Sequence, residues 1–524
     1  MFKTCLSGGE KRIVLPFIFG HIMRVLVRKA HLCLLLAIIS CAQTSENKTL
    51  APDKSAMMAL EAALMELDAD SAMRYGNLAI SVKNVRTGQA LLEQNTRKAM
   101  VIASNMKLVT TLTALEILGE SFRFKTELQH DGALQADGTL IGNLYIRGGG
   151  DPTLGSDRTE GSLEMDKLLD LWTAKIKAAG IRRISGNVIA DDGVFNANVL
   201  PNGWTWGDIG NYYGAAAFGL NINDNAYKVF MEPGTAIGSP TRLLRTEPIM
   251  RDVIFTNEVT TGPTGSGDQS YIYGVPYTYQ RAMQGTIPLG SKPFVVRGSL
   301  PDPPLFAAQQ LRETLQKNGI AVTGSATSVR LVRNQNKPKS AARTTFYTHL
   351  SPPLREIVKQ TNLRSMNLYA EAMLKMIGIS QAKVSTTAQS AEVVADFWER
   401  KGLEMAGFFM RDGSGLSRSN AMTVNSMANL LTFAAKRDYF GDFYRSFPVA
   451  GISGTMKSMG VGTAAEGNLR AKTGTLDRMS SYSGYFKTQS GELMAFAFII
   501  NDYSGKEKDF RKKAEKVLVL LPKL

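Results

Sequence analysis

A chain of 524 residues is longer than one ordinary domain, and its 44% hydrophobic and 20% charged residues are those of a globular protein. All three cysteines (Cys5, Cys33, Cys41) and two of the four histidines (His21, His31) fall in the first 41 residues, leaving only His130 and His349 beyond them. That distribution argues against a His/Cys zinc site, a cysteine nucleophile or a histidine base, and no metal or cofactor is expected.

The net charge is +15, but six basic residues (Lys3, Lys11, Arg12, Arg24, Arg28, Lys29) stand against Glu10 alone in those first 41 residues. Elsewhere no dense basic run is interleaved with aromatics, so nucleic acid is not an expected partner. Residues 1–42 read as an export leader: Arg24, Arg28 and Lys29 precede the apolar run Leu32–Ile39, which is short for a bilayer span, and small residues follow. Two processing sites are open. One is a small-x-small cleavage ending at Ala42. The other is Ile38-Ile39-Ser40-Cys41, which is similar to a lipoprotein box and would make Cys41 a lipid anchor, the only membrane attachment expected. The composition fits an exported, periplasmic protein.

Residues 44–56 are polar, as in a tether, and Met57–Leu67 has helical periodicity. Leu78–Val85 and Gln89–Gln94 are strand-like runs joined by Arg86-Thr87-Gly88, a hairpin. A helix is expected from near Ser104. Its Ser104-Asn105-Met106-Lys107 start puts Lys107 one turn beyond Ser104 on the same face, within reach of the hydroxyl. Burial would lower the lysine pKa and let it accept the serine proton. The alternative is a serine N-cap with a solvated lysine.

From Phe122 onward short strands and glycine-rich turns prevail. Leu140–Arg147 and Ile184–Ala190 read as strands and Met165–Ala179 as a helix. Gly148-Gly149-Gly150-Asp151 lacks phosphate-loop spacing and reads as a turn. Residues 201–290 look like a smaller β-rich module, with a return strand at 295–300 and a helix at Leu305–Asn318. Asn334–Arg343 reads as a polar connector. Helical signals return at Leu354–Thr361, Leu368–Ile377, Ala388–Lys401 and Thr423–Lys436, with a glycine-serine loop at Arg411–Asn420 before the last of these. Strands are expected at Leu469–Leu476, Ser481–Phe486 and Leu493–Ile500, and a closing helix at Lys506–Leu521. The two ends of the chain read as one α/β unit interrupted by a long insertion.

Three motifs occur in order: Ser104-x-x-Lys107, Ser365-Met366-Asn367 and Lys472-Thr473-Gly474. They are separated by 261 residues and then 107. With the Gly203–Trp206 run, Asp412-Gly413-Ser414-Gly415-Leu416-Ser417-Arg418 and Ala471–Leu476, the chain resembles the class C low-molecular-mass penicillin-binding proteins, the D-alanyl-D-alanine carboxypeptidase/endopeptidase family. The resemblance covers nearly everything after the leader. It implies a mixed α/β fold: a penicillin-binding/serine β-lactamase-like domain, its antiparallel sheet flanked by helices, interrupted by inserted β-rich domains. The parts would be 50–120 and 341–524 for that domain, 121–200 and 291–340 for an outer insertion, and 201–290 for an inner one.

The resemblance also implies a serine-type D-Ala-D-Ala carboxypeptidase, with D,D-endopeptidase action open, on peptidoglycan stem peptides and acylated by β-lactams. Rival readings are a β-lactamase and a non-hydrolytic cell-wall or β-lactam binding protein. Oligomeric state is left open. By resemblance Ser104 is the nucleophile and Lys107 its base, while Ser365 relays a proton to the leaving D-alanine and Asn367 bonds the substrate amide or Lys107. Lys472 attracts the substrate carboxylate and is expected to favour neutral Lys107 by repulsion. Thr473, Gly474 and Thr475 form the strand edge for the peptide, with the N–H groups of Ser104 and Thr475 as oxyanion hole. Asp191, Phe195 and Arg418 are candidate substrate contacts. Alternatives remain for three of these: Ser365 as a helix N-cap, Lys472 as a solvated edge lysine, Arg418 as a loop brace.

Overall fold

Two segments far apart in the chain build the sheet on which the rest is mounted. In this computed structural model, which describes residues 53–290, 292–333 and 342–524, strands Asn77–Asn84 and Ala90–Gln94 join Arg470–Leu476, Met479–Lys487 and Leu493–Asn501. All neighbours are antiparallel, and the early and late segments meet along a ladder from Asn77–Asn501 to Asn84–Met494. Arg470–Leu476 is an edge strand. The leader with Cys41 and residues 334–341 of the polar connector lie outside the described residues.

Both sheet faces are buried, and side-chain alternation sorts them. Met494, Phe496, Phe498 and Ile500 pack with Leu60, Leu64, Phe510 and Val517 from the terminal helices Lys54–Asp68 and Glu507–Leu518. Ala495, Ala497 and Ile499 face the opposite way, towards the helix Val424–Ala434, and share a core with the helix Met106–Leu118. That central helix is buried all round from Met106 to Leu115, the signature of a core helix rather than a surface one, and ends at Gly119 with φ 82°. The helices Leu354–Arg364 and Asn367–Ala382 pack on it, and Trp398 Nε1 from Thr387–Arg400 donates to Thr113 Oγ1 at 2.7 Å.

The described strands between Lys125 and Leu350 belong to four other sheets. Two runs expected as single strands are each broken. Thr139–Ile141 and Leu144–Arg147 are separated by Gly142-Asn143, while Arg183–Ile184 and Val188–Asp191 are separated by Ser185-Gly186-Asn187. The breaks lie side by side: Gly186 N donates to Gly142 O at 2.9 Å and Asn187 N to Asn143 Oδ1 at 2.9 Å. The chain therefore steps from one sheet to the next at one level. A Cβ on Gly142 would sit 2.1 Å from Asp131 O, so only glycine fits that corner.

Strand pairing also crosses two expected boundaries. Thr344–Leu350 pairs with Lys125–His130, so the strand after 341 belongs to an inserted sheet. Phe294–Ser299 pairs with Ala226–Glu232, tying the return strand to the inner segment rather than the outer one. The expected helices are all present, Asn367–Ala382 running furthest past its expected end. A short helix at Phe440–Arg445 was not anticipated.

Candidate active site

The chain enters the central helix through a strained corner. Ala103 holds φ 45°, a left-handed value unusual for a residue with a Cβ, and Ala103–Asn105 form one tight turn before the helix proper. Gly415, at φ 81°, presses on this corner: a Cβ there would lie 1.8 Å from Ala103 O. One turn into the helix, fully buried Lys107 donates from Nζ to Ser104 Oγ at 2.9 Å and to Ser414 O at 2.6 Å. Burial lowers the Lys107 pKa to about 7, with the charges of Asp412 and Glu371 pulling the other way.

The glycine-serine loop that supplies Ser414 is organised by one buried carboxylate. Asp412 accepts from Gly415 N (2.7 Å), Ser417 N (2.6 Å), Asn420 Nδ2 (2.8 Å) and Trp204 Nε1 (2.8 Å). Four donors on two oxygens satisfy the carboxylate without water and fasten the loop to the 201–206 segment.

The second motif sits at a junction between helices. Ser365 ends the Leu354–Arg364 helix in a left-handed conformation, φ 58°, and Met366 occupies the N-cap position of the next helix without a side-chain cap bond. The N-cap alternative for Ser365 is thereby ruled out by backbone geometry. Its Oγ accepts instead from Lys472 Nζ at 3.0 Å. Lys472 is completely buried, not solvated, and donates also to Thr473 O at 2.6 Å. Burial, then repulsion from Lys107, holds its pKa well below the usual lysine value. Desolvation is the largest cause of the lowered Lys107 pKa, and the repulsion between the two ammonium groups registers at Lys472.

The edge strand meets the nucleophile at Gly474. A Cβ there would lie 2.4 Å from Ser481 Oγ, 2.7 Å from Ile102 O and 2.9 Å from Ser104 N. Thr473 Oγ1 donates to Thr455 Oγ1 at 2.8 Å, and Thr475 is exposed. Asn367 departs from expectation. Its Nδ2 donates to Tyr213 O at 2.7 Å, towards the inserted segment and not to Lys107.

The outlying candidates are not gathered in. Asp191 is paired with Arg343 Nη1 at 2.5 Å, and that guanidinium lies 3.9 Å from the Tyr145 ring centroid. Phe195 is a core residue, 5% exposed, beneath Gly150 and 5.5 Å by centroid from Lys375 Nζ. Its apolar ring is used in packing rather than offered to a peptide. Arg418 is exposed and held by no hydrogen bond or ion pair among the described residues, so it is not a loop brace; Asp412 and Asn420 brace the loop.

Residues 60–522 match the sequence profile of the D-Ala-D-Ala carboxypeptidase 3 (S13) family. The chain belongs to that family. It is 30% identical over 448 residues to a D-alanyl-D-alanine carboxypeptidase of Actinomadura sp. (strain R39), covering 83% of this chain and 80% of the relative. The D-alanyl-D-alanine carboxypeptidase DacB of Haemophilus influenzae is 26% identical over 441 residues, covering 83% and 88%. The crystal structure of penicillin binding protein 4 (dacB) from Haemophilus influenzae superposes with a TM-score of 0.74 at 24% identity, over 88% of this chain and 98% of that one. A second structure of that protein, complexed with a β-lactam, gives 0.68 at 23%. The shared fold is the penicillin-binding/serine β-lactamase-like one.

Sequence reasoning missed three parts of this S13 site. Nothing in the residue types marks the Ser414 carbonyl as a ligand of Lys107, because a backbone oxygen carries no letter in the sequence. Glu371 and Lys375, both buried, lie one and two turns beyond Asn367. An acid and a base spaced i, i+4 among Leu368, Tyr369, Ala372, Met373 and Leu374 was the available signal.

Proposed function

We propose that this protein is a serine-type D-Ala-D-Ala carboxypeptidase whose nucleophile is Ser104. The observation that carries the proposal is the contact between buried Lys107 Nζ and Ser104 Oγ at 2.9 Å. A lysine with a pKa of about 7 is substantially neutral at neutral pH and can take the hydroxyl proton. Oγ then bonds to the carbonyl carbon of the penultimate D-alanine, and negative charge develops on the carbonyl oxygen. The N–H groups of Ser104 and Thr475 are assigned to receive it.

Collapse of that intermediate breaks the C–N bond to the terminal D-alanine, whose amine must gain a proton. Ser365 Oγ, held by Lys472 Nζ at 3.0 Å, is the group assigned to pass it on. With the proton that Lys107 took from Ser104 passed to the departing amine, Lys107 is neutral again; water then attacks the ester, Lys107 takes its proton, and that proton returns to Ser104 Oγ as the C–O bond breaks. Lys472 and Thr473 are assigned to the terminal carboxylate, and Asn367 to the substrate amide once turned from Tyr213. The substrate is the stem peptide of peptidoglycan. A β-lactam would acylate the same oxygen. The family and the leader together support a periplasmic protein, with Cys41 the candidate lipid anchor. No helix among the described residues is long and apolar enough to cross a membrane.

Release of D-alanine from a D-Ala-D-Ala pentapeptide tests the reading, with cross-linked muropeptides run in parallel for endopeptidase action. Stoichiometric penicillin binding with slow release is expected. Rapid penicillin turnover without D-alanine release would make the protein a β-lactamase instead, and neither activity would leave it a binding protein.

A further inference from the structure

One buried acid behind Lys107 has no part in the chemistry above. Glu371 is 1% exposed, on the helix that opens with Asn367. Its Oε1 accepts from Ser414 N at 2.8 Å, and the carbonyl of the same Ser414 accepts from Lys107 Nζ at 2.6 Å. Its Oε2 is buried with no hydrogen-bond partner among the described residues. Asp412, with four donors, is fully employed in holding its loop. Glu371 faces the Ser414 side chain and the Gly413 and Ser414 backbone, with Ser414 N–H its one short bond, and a carboxylate oxygen left bare in the interior is destabilising. Both carboxylates act on Lys107 by charge, Asp412 the more strongly, and Glu371 acts in addition through the Ser414 peptide that it holds.

The groups facing Glu371 come from three elements: Lys375 on its own helix, Asp412 and Ser414 on the loop, and Lys107 on the central helix. Lys375 Nζ donates to Ala217 O at 3.3 Å. Lys472, buried as well, is the other titratable group that acts on Lys107, by repulsion. We propose that Glu371 is a positioning residue for Lys107, governing when that lysine can serve as a base through its charge and through the Ser414 backbone it holds. The proposal rests on the reading of Lys107 as the base for Ser104.

The direction of the effect follows from charge. An anionic Glu371 stabilises protonated Lys107, so it keeps the lysine more basic than burial alone would leave it. Burial, then repulsion from Asp412, raises the carboxyl's own pKa to about 7, so Glu371 and Lys107 titrate over one pH range and the carboxylate acts on the upper part of the limb. Glu371 thus offsets desolvation, leaving Lys107 basic enough to take a proton yet neutral often enough to start.

The test is the acylation rate of the full chain by a fluorescent penicillin, followed from about pH 5 to pH 9. Glu371→Gln keeps the oxygen for Ser414 N–H and removes the charge. The acid limb is expected to move down by up to about one pH unit, up to about tenfold in rate once each is scaled to its plateau, the gap narrowing towards pH 5 as the wild-type carboxyl protonates. Glu371→Asp keeps the charge, and its limb is expected at the wild-type position with a lower plateau. A Glu371→Gln limb at the wild-type pH overturns the proposal whatever the plateau does. So does a Glu371→Asp limb displaced by about a unit, which decides the matter if Glu371→Gln does not fold. Failure of the wild-type protein to acylate Ser104 would instead sink the reading of the site, which separates the two outcomes.

Discussion

Replacing Gly474 by alanine puts a methyl group where the edge strand meets the nucleophile. The new Cβ would lie 2.4 Å from Ser481 Oγ and 2.7 Å from Ile102 O, and those two atoms are partners in one 2.7 Å hydrogen bond. It would also lie 2.9 Å from Ser104 N. Ser481 cannot rotate away without giving up that bond, and the other two atoms are backbone, so the strand and the Ile102–Ser104 segment must part. Overpacking costs about 1–3 kcal/mol and the lost hydrogen bond about 1 kcal/mol, a total of about 2–4 kcal/mol in urea unfolding. The larger effect is on rate. A shift of about 1 Å between nucleophile and substrate platform lowers acylation by about 100-fold. The assay is the second-order rate of labelling by a fluorescent penicillin on protein shown to be folded. A folded Gly474→Ala variant that labels within about threefold of wild type would refute the idea that this contact sets the geometry.

Other outcomes follow from single contacts. Lys107→Arg keeps a cation that cannot give up its proton, and acylation should fall by about 10²–10⁴-fold with the protein still folded; a smaller loss would point to another base. In the wild type, acylation should rise with pH through about 7, because Lys107 is protonated below that pH and neutral above it. Ser365→Ala removes an acceptor from Lys472 and should slow D-alanine release by about 10²-fold with little change in urea stability, since Lys472 retains Thr473 O. Trp204→Phe deletes the 2.8 Å bond to Asp412, and about 1–3 kcal/mol of stability should go with it in urea unfolding, the carboxylate retaining three donors.

Much of this was legible because apolar periodicity and motif order survive as letters. The run after Ser104 reads as a helix, and its burial all round explains why it lacks a polar face. The last two strands, Met479–Lys487 and Leu493–Asn501, are largely apolar or small-residue runs, as a sheet covered on both faces requires. The inserted region was harder. Its strands are two to nine residues long, and two runs hid their breaks at Gly142-Asn143 and Gly186-Asn187, where the signal is one glycine and one hydrogen bond to a distant asparagine. In the site, the motif letters led to Ser104 beside Lys107 and Ser365 beside Lys472, while other side chains turn elsewhere. Phe195 is committed to packing and Asp191 to Arg343, and Asn367 points to Tyr213 O, because long-range partners decide those orientations. The Ser414 carbonyl had no local signature at all, and Glu371 had only its i, i+4 spacing from Lys375 within an apolar helix.

On the proposed reading, a lysine-activated serine at the head of the buried helix faces the Lys472–Thr475 strand edge across one bound peptide. Peptide mapping by mass spectrometry after reaction with a penicillin tests it most directly. The adduct should fall on Ser104, be lost in Ser104→Ala, and be prevented by prior incubation with a D-Ala-D-Ala pentapeptide. An adduct on any other residue, or one that persists in Ser104→Ala, would contradict the account.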